Sequence, residues 1–113
     1  MAKRTAEKLA LLQGTLDMMV LRTLLAGPAN GYEIARSIER LSEDVLSVDH
    51  GSLYPALRRL EISGLVSARW QDSATNRRAR YYKLTAAGRR QLTAEESRWK
   101  QLAAAVNRVM RPA

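Results

Sequence analysis

Residues 15–26, TLDMMVLRTLLA, are apolar at nearly every position and are closed by Gly27-Pro28. An apolar run of that length on all sides predicts a buried helix. Thr15 is placed to cap it, with Asp17 in the first turn facing the helix dipole, and Met18 and Met19 read as core. Asn30-Gly31-Tyr32-Glu33 then offers an Asn cap with Glu three residues on, close to a capping box. Ile34, Ile38 and Leu41 follow at i, i+4, i+7 and mark one face of a second helix. Residues 42–50, SEDVLSVDH, are polar and mixed and predict a connection.

Leu53, Leu57 and Leu60 recur on one face of a third helix. Gly64 is suited to the left-handed position after its end, with Leu65 placed for the hydrophobic contact beyond. Pro55 is tolerated only near a helix start, so this helix is expected to begin near Gly51 or Ser52. Tyr54, Arg58 and Ile62 point away from the leucines, flanked by Pro55 and Arg59. Residues 65–70 and 80–84 alternate with period two, which predicts a hairpin. Its tip, QDSATNRRA, is long and rich in turn formers. Trp70 and Tyr82 read as cross-strand core partners.

Thr85 caps a last helix running to about Met110. Leu92, Trp99, Leu102, Val106 and Val109 form a heptad-like seam along it, with Glu95 in one expected slot. Gly88 weakens its first turn, and Thr93-Ala94-Glu95-Glu96 is placed to restart it. The fold class is thus mainly α with a small β-hairpin: a winged helix-turn-helix domain over residues 1–85, including an N-terminal segment 1–13, and a C-terminal dimerisation helix over 86–113.

Charge sharpens this picture. The 113 residues carry 19 Lys and Arg against 11 Asp and Glu, a formal net charge of +8. Such an excess favours a polyanionic partner. Between Ser73 and Ala94 there is no acid, yet Arg77, Arg78, Arg80, Lys83, Arg89 and Arg90 fall there. A helix followed by a basic-tipped hairpin suits DNA: the helix enters the major groove and the hairpin lies along phosphates or the minor groove. Arg58 is placed to reach guanine or, failing that, to pair with Glu61 or Glu39. Tyr54 and Ser52 open the same helix; the tyrosine either bonds a phosphate or base edge or packs on the second helix. Arg59 is a phosphate contact or a solvent residue. Tyr32, in the first turn of the second helix, is placed beside free N–H groups that attract phosphate, or packs in the core. Arg77, Arg78 and Arg80 at the hairpin tip, with no acid nearby, read as backbone or minor-groove contacts.

Other chemistry is thinly supported. The chain has no Cys and one His, which leaves no thiolate or histidine cluster for a metal. His50 beside Asp49 finds no nucleophile or oxyanion arrangement, so neither enzyme activity nor a cofactor is expected. No apolar run reaches the length of a membrane span, and the opening MAKRTAEKLALLQ does not read as a secretory signal. A cytoplasmic protein is the expectation.

The sequence resembles the PadR family of bacterial transcriptional regulators from about Leu11 to Trp99. The matching pieces are Gly14-Thr15-Leu16-Asp17, Asn30-Gly31-Tyr32-Glu33-Ile34, residues 51–61 (GSLYPALRRLE), Gly64-Leu65-Val66, and residues 81–88 (YYKLTAAG). The resemblance implies a homodimer that binds operator DNA, usually as a repressor, and makes the C-terminal helix the main dimerisation element. It also implies a small-molecule effector near the dimer interface, with a pocket between Leu9–Leu12 and the partner's Trp99. A winged-helix module for protein partners, without sequence-specific DNA binding, is the alternative.

Overall fold

The computed structural model describes residues 14–112. Helix α1 covers residues 14–23 and passes into a short 3-10 turn, Leu24–Ala26. Gly14 is already helical, so Thr15 lies inside the helical run and not at its cap. Helix α2 spans Gly31–Leu41, α3 His50–Ile62 and α4 Ala86–Met110. Strands β1 (Ala29–Asn30), β2 (Val66–Asp72) and β3 (Arg78–Leu84) form one antiparallel sheet in the order β1-β3-β2. Four helices with a small sheet make a winged helix, as the pattern predicted. Strand β1 has no sequence signature: its two residues pair with Tyr82 and Tyr81 only because α2 starts beside the hairpin.

Local signals account for most boundaries. The capping box is complete, with the Glu33 amide donating to the Asn30 side chain at 2.8 Å and the Asn30 amide donating to the Glu33 carboxylate at 3.0 Å. At the end of α3 the Leu65 amide donates to the Leu60 carbonyl and the Gly64 amide to the Glu61 carbonyl, while Gly64 takes φ 76°. This is a Schellman stop. Helix α3 starts earlier than expected, at His50, which puts Pro55 in its second turn. The ring removes the donor that would bond the Gly51 carbonyl; both residues are exposed, so that carbonyl keeps access to solvent.

One core joins these elements. Val20, Leu21, Ile34, Leu53 and Leu57 are its most completely buried large side chains, each contributing about 1.5–3 kcal/mol by leaving water. Leu60, Val66, Tyr82, Leu84 and Leu92 also belong to it, with Met18 and Met19 packed against its edge. Leu41 departs from its predicted face and is exposed. Leu92 departs from the seam: it is 5 % exposed and belongs to the domain core, so it is not available for dimerisation.

Helix α4 runs unbroken, without the restart expected at Thr93, whose hydroxyl instead bonds the Arg89 carbonyl. Its start is held by Thr85, whose hydroxyl donates to the Gly64 carbonyl at 2.7 Å and accepts from the Gly88 amide at 3.0 Å. Gly88 is there because the Leu65 backbone passes over it. A Cβ would collide with the Leu65 carbonyl oxygen and come within 2.8 Å of Leu84 Cδ1. Helix propensity alone favours Ala over Gly by about 1 kcal/mol. The collision is expected to reverse that sign, so that Gly88→Ala destabilises the domain by about 1–3 kcal/mol. Thermal unfolding followed by circular dichroism checks this; a raised midpoint would show that the close approach does not govern the site.

Candidate nucleic-acid interface

Helix α3 buries Leu53, Ala56, Leu57 and Leu60 and leaves Tyr54, Pro55, Arg58 and Arg59 exposed. The outward face is therefore set by the core on its other side. Ser52 is half-buried at its start. The Tyr54 ring lies over the first residue of α2, so that a Cβ on Gly31 would sit 2.8 Å from its hydroxyl oxygen. His50 braces the same ring edge-on, with centroids 5.7 Å apart. Tyr54 thus packs on α2 and still keeps 46 % of its surface exposed. Tyr32 is 64 % exposed, and the alternative of a ring packed in the core is corrected.

The hairpin is tighter than the sequence suggested. Strands β2 and β3 pair from Val66↔Leu84 to Asp72↔Arg78, leaving a loop over residues 73–77 in place of the long tip. Two backbone hydrogen bonds close it, Ser73 N–H to the Arg77 carbonyl at 2.7 Å and Asn76 N–H to the Ser73 carbonyl at 2.9 Å. Asn76 takes φ 65°, in the left-handed region that Asn tolerates. Arg77 ends this loop, Arg78 opens β3 opposite Asp72, and Arg80 lies further in.

Arg80, against the expectation, is not a tip residue free of acids: its Nη2 donates to Glu61 Oε2 at 2.6 Å. Its Nε is buried and has no hydrogen-bond partner. Arg59 is exposed but paired, donating to Asp17 of α1 at 3.0 Å. Burial pushes the Asp17 carboxyl above the usual carboxylate range, against the pull of Arg59. Burial likewise raises the Tyr82 phenol above its ordinary value. Glu39 pairs with Arg36, so neither Glu61 nor Glu39 engages Arg58. Among the described residues Arg58, Arg77 and Arg78 form no ion pair.

A groove of about 690 Å³ runs between the start of α2, α3 and the hairpin. Tyr32, Tyr54, Trp70, Arg77, Arg78 and Arg80 line it. Trp70 was missed by sequence reasoning. It faces Arg80 across the sheet, not Tyr82, whose partner is Ala68. Tyr82 is buried while Trp70 is 58 % exposed. Both lie on the inner face of the hairpin, but the core ends between them, a point that alternation cannot reveal.

The candidate residues for association lie apart from this groove. Leu92 is the last buried residue along α4, and Trp99, Leu102, Val106 and Val109 are all exposed beyond it. The proposed effector segment Leu9–Leu12 lies outside the described residues. Among the described residues no His, Cys, Asp or Glu group is arranged to hold a metal ion, and no helix is long and apolar enough to cross a membrane.

The profile of the Transcriptional regulator PadR-like family matches residues 20–94, from the middle of α1 into α4. The chain belongs to that family. PadR-like proteins are transcriptional regulators, not enzymes. Solved structures agree in sequence and shape. A PadR-family transcriptional regulator from Eggerthella lenta is 31% identical, covering 99% of this chain and 96% of its own, with a TM-score of 0.78. A PadR-like transcription factor from Bacteroides fragilis is 34% identical over 92% of this chain and 98% of its own, at a TM-score of 0.69. A transcriptional regulator from Clostridium thermocellum shares the fold at a TM-score of 0.82, with 24% identity over 90% of this chain and 99% of its own.

Proposed function

We propose that this PadR-like regulator is a homodimeric, cytoplasmic repressor that binds operator DNA sequence-specifically. The observation that carries this reading is a set of exposed, unpaired arginines on α3 and on the hairpin. Arg58 stands on the outward face of α3, and Arg77 and Arg78 stand on the hairpin, all exposed and without carboxylate partners among the described residues. Helix α3 enters the major groove, where Arg58 reads a base edge. Ser52, Tyr54 and Pro55 approach the backbone from the start of that helix. Tyr32 stands exposed in the first turn of α2, where the positive end of the helix dipole favours phosphate, and the hairpin arginines neutralise phosphates beside it. A dimer built on α4 sets the spacing of two such units to match an inverted repeat. An effector acting near that interface would change DNA affinity by binding two spacings unequally.

Titration of the full chain with duplexes covering the DNA upstream of its own coding region tests this. Binding is expected to favour one inverted-repeat segment over a scrambled duplex and to weaken steeply with salt. A protein-interaction module would show neither preference nor a steep slope, and that outcome would overturn the proposal.

A further inference from the structure

Only one side-chain hydrogen bond among the described residues ties the β2–β3 hairpin to the helices: Arg80 Nη2 to Glu61 Oε2, at 2.6 Å. Its position is informative. Glu61 follows Arg58 by three residues on α3, one helical turn along. Arg80 follows Arg78 by two residues on β3, so both project from the same face of the strand. Toward the helices the hairpin is anchored by buried Val66, Tyr82 and Leu84. Outward from Arg80 and its cross-strand neighbour Trp70, most residues are exposed. A two-stranded ribbon without a packed face is only marginally rigid, so beyond the buried anchor the outer half of the hairpin is held to α3 by this side-chain tie.

The guanidinium is also poorly arranged for an outside anion. Nη2 is engaged by Glu61 and Nε is buried, unpartnered and cut off from solvent. Arg80 therefore cannot offer its two-pronged Nε–Nη2 edge to a phosphate without breaking the pair and moving the hairpin.

We propose that Arg80 and Glu61 are positioning residues, a clamp that sets the distance between the base-reading Arg58 and the phosphate-facing Arg77 and Arg78. The clamp makes simultaneous engagement of the major groove and the flanking backbone possible on one spacing. This inference rests on the DNA-binding reading above, but the clamp itself is measurable without DNA.

The experiment uses the full chain with Glu61→Gln, Arg80→Gln and the exchanged pair Glu61→Arg with Arg80→Glu. Backbone amide exchange over residues 70–80 is expected to quicken in both single variants and to recover in the exchanged pair. Operator affinity is expected to fall by at least about fivefold in each single variant and to recover in the exchanged pair. The slope of log affinity against log salt should flatten in Glu61→Gln as well as in Arg80→Gln, because either change frees the hairpin that carries Arg77 and Arg78. If instead only Arg80→Gln flattened that slope, by about 0.9, while Glu61→Gln bound as well as wild type, Arg80 would be a phosphate contact and the clamp would be wrong. If wild type showed no preference for any duplex, the functional reading would fail, and amide exchange alone would still decide the clamp: unchanged rates in both single variants would overturn it. Should Arg80→Gln fail to fold, Glu61→Gln carries the same comparison, because Glu61 is only half-buried at the end of α3.

Discussion

Replacing Trp99 and Val106 together by Glu is expected to give a folded monomer whose operator affinity falls by about 100-fold or more. The Trp99, Leu102, Val106 and Val109 side chains are spaced by three and four residues and are exposed along the distal part of α4. A stripe of that kind on a single domain is an aggregation hazard unless a partner covers it. Two half-sites held by one dimer gain from effective concentration, worth about 10²–10⁴ in affinity, and a monomer forfeits that gain. Leu92 separates association from folding. Because it is in the domain core, Leu92→Ala is expected to cost about 2–5 kcal/mol of stability and to change association only through unfolding. For the same reason a truncation after Arg90 would damage the core, whereas a stop after Arg98 retains Leu92. Light scattering and thermal unfolding of these variants provide the check. A stable dimer in the Trp99→Glu, Val106→Glu variant would place the interface elsewhere.

The second large effect divides labour between α3 and the hairpin. Arg58→Ala is expected to lose about 1–3 kcal/mol on the operator and much less on scrambled DNA. Arg58 projects from a helix fixed by Leu53, Leu57 and Leu60, and fixed geometry is what reading a base requires. Arg77→Ala with Arg78→Ala is expected to weaken both duplexes by similar factors. It should also lower the salt slope by about 0.9 for each phosphate that is no longer neutralised. The reason is that the two residues sit at and beside an exposed loop closed by few bonds. Titrations of both variants at several salt concentrations settle the assignment. Loss of specificity in the hairpin variant, with only general affinity reduced in Arg58→Ala, would reverse the roles.

The order of the helices and the β2–β3 hairpin, the caps of α2 and α4, the stop of α3 and most of the core were legible in the sequence because they depend on short-range rules. Asn30 and Glu33 cap α2 across three residues, Gly64 stops α3 through its own backbone, and Thr85 starts α4. The leucines of α3 find the core because periodicity alone puts them on one face. The outward position of Tyr54 and Arg58 follows from the same arithmetic.

What the sequence could not settle lies between elements distant along the chain. Arg80 resembles Arg77 and Arg78 in the sequence, yet Glu61, 19 residues earlier, engages it. Arg59 is taken by Asp17 across 42 residues. Leu92 fits the heptad seam as well as Trp99 does, but the domain core happens to end just beyond it. Trp70 alternates correctly with Val66, yet stands where the hairpin has already left the core. Gly88 reads as a weak point in a helix until the Leu65 carbonyl is found resting against it. Periodicity assigns a side chain to a face of its own element. Which faces meet, where the packing ends, and which charges find each other there are decided only when the helices and the hairpin come together.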